Sequence, residues 1–325
     1  MRKSLLFFLI LLTFVGCGPF VGCRSNRPVQ PPLSRAVFTS DGSAIVFSVR
    51  QARTCFLYKA DITGGAMHRL THATSGCESD PAMSPDGKQL VFTRAAGPGE
   101  HAALIVANAD GTGERTLVSS EEDNLQPIFV PHASQIIFLR SGAFEHHSPL
   151  VDNRRHKFDI FFADLVTGQV SAFTHQQFYE INCISISADG RQLVTSLSTY
   201  PEGDRFIITP IDEPPGEHTP GPQPVVPNAP TPPPPVYNAL WLPDGRSLLF
   251  YAASLPPGGA TFDYNVYRLN LSSRTIEQLT HLTGQLWGLS VSPDGKRAVF
   301  LHDEMYSILN LNTQQITPVP LQMPR

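Results

Sequence analysis

The stretch Ala82–Phe92 reads AMSPDGKQLVF, and Ser290–Phe300 reads SVSPDGKRAVF. Aligning the whole chain on SPDGKQLVF yields six copies: Phe38–Phe47 (FTSDGSAIVF), Met83–Phe92, Phe129–Phe138 (FVPHASQIIF), Ile186–Thr195 (ISADGRQLVT), Trp241–Phe250 (WLPDGRSLLF) and Val291–Phe300. Their last residues stand 45, 46, 57, 55 and 50 apart. A strand-rich unit recurring at such a period cannot hide its apolar flanks alone and must stack on its neighbours, so the repeat predicts propeller blades.

Each copy has a local physical reading. Its first position is Phe, Met, Phe, Ile, Trp or Val, always large and apolar, and is expected on a short inner strand. The turn follows: Pro pre-sets its backbone angle, Asp suits the third position, and Gly takes the left-handed one. Asp41-Gly42, Asp86-Gly87, Asp189-Gly190, Asp244-Gly245 and Asp294-Gly295 are therefore read as structural turns, while His132-Ala133 replaces Asp-Gly in the third copy. Copies three and four lack the full signature and are expected to be less regular. A third strand comes next, such as FLYKAD from Phe56 or DIFFAD from Asp159, and a fourth ends on RLTH, AFTH or QLTH (Arg69–His72, Ala172–His175, Gln278–His281). The expected fold is all-β: a six-bladed β-propeller of four-stranded antiparallel blades. No blade is expected to borrow strands from both termini; the first and last would meet by packing alone.

Phrase, spacing and number together resemble the TolB-like family of propellers, over residues 34–319. The resemblance implies a periplasmic bacterial protein. TolB-type members carry an α/β domain ahead of the propeller, where this chain has a linker, residues 18–33. Residues 1–17 read as a lipoprotein signal peptide: Arg2 and Lys3, an apolar run Leu5–Val15 too short to span a bilayer, then FVGC ending at Cys17. The phrase FVGC recurs at Cys23, which is the alternative lipidation site. The expected location is the periplasm-facing outer membrane, with membrane contact only through the lipid. Residues 320–325 are read as a tail.

Charged residues make up only 16% of the chain and the net charge is −4, so a phosphate-binding footprint is missing and no nucleic-acid partner is expected. Pro214–Val236, with eleven prolines, is an insert in the fourth blade. Its composition suits a stiff surface loop, or else a docking segment gripped in extended form.

Chemistry-bearing residues are few. In a blade, the loop entering each inner strand shares a face with the loop between second and third strands. That places Glu78, Asp80, Glu122, Asp123, Glu180, Asn182, His146 and His147 around one mouth of the central channel, as the candidate binding face. Adjacent His146 and His147 point to opposite sides of a strand, and Arg154 and Arg155 oppose a cation, so no metal or other cofactor is expected. No G-x-S-x-G nucleophile motif occurs. Cys55 and Cys77 fall on the same face and are a candidate disulfide, leaving Cys183 free. The reading is a monomeric, non-catalytic propeller scaffold for an envelope protein or glycan. The alternative is a polysaccharide lyase or hydrolase working at the channel mouth.

Overall fold

The computed structural model describes residues 33–97, 100–145, 154–199, 203–216, 236–254 and 262–322. The signal segment with Cys17 and Cys23, His146, His147 and most of the proline-rich insert lie outside these residues. Among the described residues every regular element is a strand, including Asp159–Asp164 and Val266–Asn270, where a helix would have broken the repeat.

In chain order the strands form groups that begin with the copies seen in the sequence. The first group is Val37–Phe38, Ala44–Gln51, Thr54–Asp61 and His68–Arg69, and the second is Cys77–Met83, Gln89–Ala95, Ala102–Asn108 and Arg115–Val118. The third is Asp123–Phe129, Gln135–Glu145, Arg154–Asp164 and Val170–Ala172; the fourth, Glu180–Ile186, Gln192–Thr199 and Gly203–Pro210. The fifth is Val236–Trp241, Ser247–Ser254, Asp263–Asn270 and Ile276–Gln278; the sixth, Leu286–Val291, Arg297–His302, Met305–Asn310 and Ile316–Pro318. Within each group neighbouring strands are antiparallel, as in a propeller.

Two expectations are corrected. The first two groups are not separate sheets: Cys55 and Cys77 form a one-residue parallel pair that joins them into one eight-stranded sheet. The fourth group has three described strands, and residues 217–235, where its outer strand was expected, lie outside the described residues. Finally, the residues read as tail are hydrogen-bonded beside the first group: Leu321–Gln322 pairs in parallel with Gly65–Ala66, a short strand between the third and fourth strands of that group, and Gly65 N donates to Pro320 O at 2.9 Å.

The core explains why the repeat is needed. Second strands are buried on both faces, so they read as continuous apolar runs. Leu90 and Phe92 pack with Val46 and Leu57 of the first group, while Val91 between them packs with Phe129 and Phe138 of the third. The same arrangement continues around the molecule, through Ile137 with Ile181, Phe206 with Phe250, and Leu249 with Phe300. It closes where Val299 and Tyr306 pack with Phe47 and Tyr58. Phe47, Phe92, Phe138, Phe250 and Phe300, at the last position of their copies, are all fully buried. Copy four has Thr195 there, and its buried hydroxyl has no partner.

Tyr306 fastens the closure with a directional bond, its hydroxyl donating to Ser34 O at 2.5 Å. Burial pushes its pKa far up, so it remains a donor. Tyr306→Phe is expected to lower the unfolding free energy by about 1–2 kcal/mol, the value of a buried hydrogen bond with one partner left unsatisfied. Urea denaturation reads this directly, and an unchanged midpoint would remove the bond from the account of closure.

The turns behave as structural elements. Ser84 Oγ donates to Asp86 Oδ1 at 2.7 Å and Lys88 N donates to the same oxygen at 3.1 Å. Ser187 with Asp189 and Ser292 with Asp294 repeat the bond. These hydroxyl bonds hold the three carboxyls below the ordinary range, and Thr39 with Ser43 lowers Asp41 to about 2. Glycine is required for two reasons. Its φ lies between +63° and +73° at Gly42, Gly87, Gly190, Gly245 and Gly295, and successive turns nearly touch: a Cβ on Gly87 would lie 2.1 Å from Ser40 Oγ. In the third copy the left-handed residue moves one place earlier, to His132 at φ +63°.

Candidate functional site

Along the axis the inner strands enclose a chamber of about 470 Å³. Its waist is the first position of every copy: Phe38, Met83, Phe129, Ile186, Trp241 and Val291. Toward one end it is bounded by the turns, through Ser40, Pro85, His132, Ala188, Pro243 and Pro293. Toward the other it meets Arg35, Asp80 and Gln126. An apolar wall with a few converging polar groups, in this size range, is the usual composition of a small-ligand pocket.

Those polar residues reach the chamber through a feature that the sequence reading missed. Each inner strand carries a bulge three residues or so before its apolar waist position. Register slips lie between Ser79 and Ala82, Leu125 and Ile128, Ile181 and Cys183, Tyr237 and Leu240, and Trp287 and Ser290. In the first group Leu33 pairs with Val49 and Val37 with Val46, four steps against three, so the same slip surrounds Arg35. Asp80, Gln126, Asn238 and Gly288 take left-handed φ values of +49°, +47°, +50° and +67° at these bulges. A bulge re-aims a side chain that a regular strand would send into the blade flank. The available signal was the type of residue at this offset: Asp, Asn and Gly tolerate the left-handed region.

A hydrogen-bonded chain supports this polar ring. Gln126 N donates to Asp80 Oδ2 at 3.3 Å, and Gln126 Nε2 donates to Asn182 O at 3.1 Å. Asn182 Nδ2 in turn donates to Ser198 Oγ at 3.0 Å, and Ser198 Oγ donates to Asp204 Oδ1. Burial raises the Asp204 pKa. In the fifth group, Tyr237 on the inner strand packs with Tyr251 and Tyr264 of the next two strands, with ring centroids 5.3–6.3 Å apart. Burial also pushes the Tyr251 hydroxyl up.

The expected binding face is only partly assembled at this site. Asp80 lines the chamber and Asn182 supports Gln126. Glu78 is fully buried and instead accepts from Arg94 Nε at 3.0 Å and Nη2 at 2.6 Å, so its place on a binding face is corrected to a structural one. Asp123 is likewise buried, taking Ala102 N at 3.0 Å. Glu122 faces Arg140 Nε at 3.7 Å, and Glu180 sits partly buried opposite Ser198. The recurring Thr-His phrase is also structural. Thr71, Thr174 and Thr280 are buried and donate to Glu78, Asp159 and Asn265, whereas His72, His175 and His281 are exposed. Cys55 and Cys77 are joined by a disulfide and Cys183 is buried and free.

No protein-family model matches the chain. Over 107 residues it is 26% identical to the Tol-Pal system protein TolB of Francisella tularensis subsp. tularensis (strain WY96-3418), covering 33% of this chain and 24% of that protein. The match thus spans about a quarter of that relative's length. The structure is similar to TolB from Acinetobacter baumannii, with a TM-score of 0.59 and 15% identity over 89% of this chain and 63% of that one. The fold is a TolB-like propeller. The same propeller is similar to an oligogalacturonate lyase in complex with manganese, with a TM-score of 0.58 and 16% identity over 88% of this chain and 76% of the lyase. At that identity the likeness concerns the fold alone. Among the described residues of the present propeller, no three His, Cys, Asp or Glu side chains stand together as a metal-ligand set.

Proposed function

We propose that the chain is a six-bladed TolB-like propeller, residues 34–319, acting as a non-catalytic binding scaffold in a bacterial envelope. Counting the eight-stranded sheet as two blades gives six, in keeping with the six shared core clusters among the described residues. In this reading Cys17, or Cys23, carries the lipid and the partner is an envelope protein or glycan. The name of the Francisella relative, which places that protein in a Tol-Pal system, supports an envelope setting.

The observation that carries the reading is the axial chamber, walled by inner strands from every group and holding polar side chains in an otherwise apolar enclosure. Ala188 is exposed and stands at its turn-side end. Ala188→Trp is expected to obstruct that end without touching a core cluster. Crosslinking pull-down from envelopes, with the full lipidated chain, should then recover the partner at least tenfold less well with the variant, at an unchanged thermal midpoint. Equal recovery by both proteins overturns the chamber as the recognition site. Turnover of an oligosaccharide by the purified chain overturns the non-catalytic assignment.

A further inference from the structure

One exposed apolar side chain means little, but several gathered at one end of a molecule mark an interaction surface. Among the described residues the exposed large apolar side chains are Val166, Tyr179, Phe262, Trp287 and Met305. Val166 lies between a third and a fourth strand, at the end that carries the Asp-Gly turns. The other four lie at the opposite end, in or beside the loops that enter inner strands or join second to third strands. Three of them stand on neighbouring segments. Phe262 precedes the third strand of the fifth group, Trp287 is near the start of the sixth inner strand, and Met305 follows the sixth group's hairpin. Tyr264 N donates to Gly284 O and Gly284 N to Asp263 Oδ1, both at 2.9 Å, and His302 Nε2 donates to Thr283 O at 2.8 Å. Tyr179, farther round, stacks on His156 with ring centroids 4.5 Å apart. These side chains are thus mounted on bonded segments before any partner arrives.

The described chain begins at the same end. Leu33 pairs with Val49, far along the second strand from its Asp-Gly turn, and Ser34 O accepts from the hydroxyl of Tyr306, the neighbour of Met305. A Cβ on Gly288 would lie 3.0 Å from Arg35 Cα, so the entering chain runs against the strand of Trp287. Fully extended, the residues before Leu33 reach at most ~35 Å from Cys23 or ~55 Å from Cys17. An eight-residue second strand is ~26 Å long, so turning the other end to a membrane would spend much of that reach around the rim.

We infer that this end of the propeller lies on the membrane that holds the lipid, with Tyr179, Phe262, Trp287 and Met305 at the headgroup boundary. The inference rests on the lipidated-scaffold reading and adds to it a second, non-covalent contact with a lipid surface. Aromatic rings with a polar edge settle at that boundary. A short tether holds them at an effective concentration on the order of millimolar, so a weak affinity suffices. The hairpin that carries Met305 is tipped by exposed Asp303 and Glu304, which anionic headgroups would repel, so the attraction is apolar rather than electrostatic. The turn-side end of the chamber, with Ala188, then faces away from the membrane and stays open to a partner.

The test uses the full lipidated chain, reconstituted into phosphatidylcholine vesicles with brominated acyl chains. The chain has two tryptophans and Trp241 is buried, so emission lost on bromination reports Trp287. The Trp287 emission, taken as the difference from Trp287→Phe, should fall to less than half of its value in unbrominated vesicles. Trp287→Phe itself should show no such loss. Phe262→Asp with Met305→Asp should restore most of the lost emission while the protein still floats with the vesicles through its lipid. Both sites are exposed, so the thermal midpoint should stay unchanged; should the double variant fail to fold, Met305→Asp alone carries the comparison. Replacing a third of the lipid by brominated phosphatidylglycerol should leave the loss unchanged, and a larger loss overturns the apolar account. Unquenched Trp287 in protein that floats overturns the inference and leaves the lipid reading standing, whereas a mass without lipid overturns both. A shift of Trp287 emission with chitotetraose, without quenching by brominated lipid, overturns it in favour of a glycan. The pull-down with Ala188→Trp decides the chamber separately.

Discussion

Glu78→Ala is expected to destabilise the propeller by about 3–5 kcal/mol, the range for removing one partner of a buried, hydrogen-bonded ion pair. Glu78 sits on the second inner strand with no exposed surface. Oε2 accepts from Leu57 N at 3.1 Å and from Thr71 Oγ1; Oε1 accepts two bonds from Arg94. Arg94 Nη2 also reaches Glu114 Oε2 at 2.6 Å. Burial alone would lower the Arg94 pKa, but its bonds to Glu114 and Glu78 outweigh burial and raise it. Truncation at Glu78 therefore strands a threonine hydroxyl and part of a guanidinium at the boundary of the first two strand groups, and leaves Leu57 N with only its 3.4 Å bond to Thr71 Oγ1. Guanidinium chloride denaturation measures the loss. Adding Arg94→Met should recover part of it, because the stranded charge goes too. A loss below about 1 kcal/mol for Glu78→Ala, or no coupling in the double variant, would show that the cluster is not structural.

The second large effect belongs to the disulfide. Cys55 and Cys77 are 22 residues apart, and a loop of that length restrains the unfolded chain by about 3 kcal/mol in the chain-entropy account. The bridge also sits where the first and second groups join by a single parallel residue pair, beside the bonds that Glu78 accepts from Leu57 and Thr71. The double variant Cys55→Ala/Cys77→Ala is expected to lose about that amount. Cys183 is an internal control. It is fully buried, and burial raises its thiol pKa, so it should alkylate only after unfolding. Peptide mapping after alkylation without reductant should show Cys55, Cys77 and Cys183 unmodified in the folded protein, and Cys55 and Cys77 modified after reduction. Alkylation of Cys55 or Cys77 without reductant would mean the bridge is absent.

Turns were legible because Ser-Pro-Asp-Gly acts locally: the Asp86 acceptor and the left-handed Gly87 lie within a few residues of each other. The waist residues from Phe38 to Val291 were legible as an inner, apolar position, though not as the wall of a chamber. Glu78 and Asp123 were misplaced because an acidic residue near a loop looks solvent-facing. Their partners, Arg94 and the Ala102 amide, stand on different strands. The bulges were missed because a register slip belongs to a pair of strands, and one strand alone does not reveal it. Closure was misjudged for the same kind of reason: Leu321–Gln322 has no local mark that it will lie beside Gly65–Ala66.

What the amino-acid order alone determined is the repeating unit, its strand content and its turns, since these depend on backbone preferences and on apolar alternation within a few residues. What only the tertiary structure decided is which polar residues line the axial chamber and which are consumed as core ion pairs. Arg35, Gln126 and Trp241 lie far apart in sequence and line one chamber only because radial stacking carries successive inner strands around the axis. Burial and partnership, the two quantities that separate a binding group from a structural one, arise only when the ring closes.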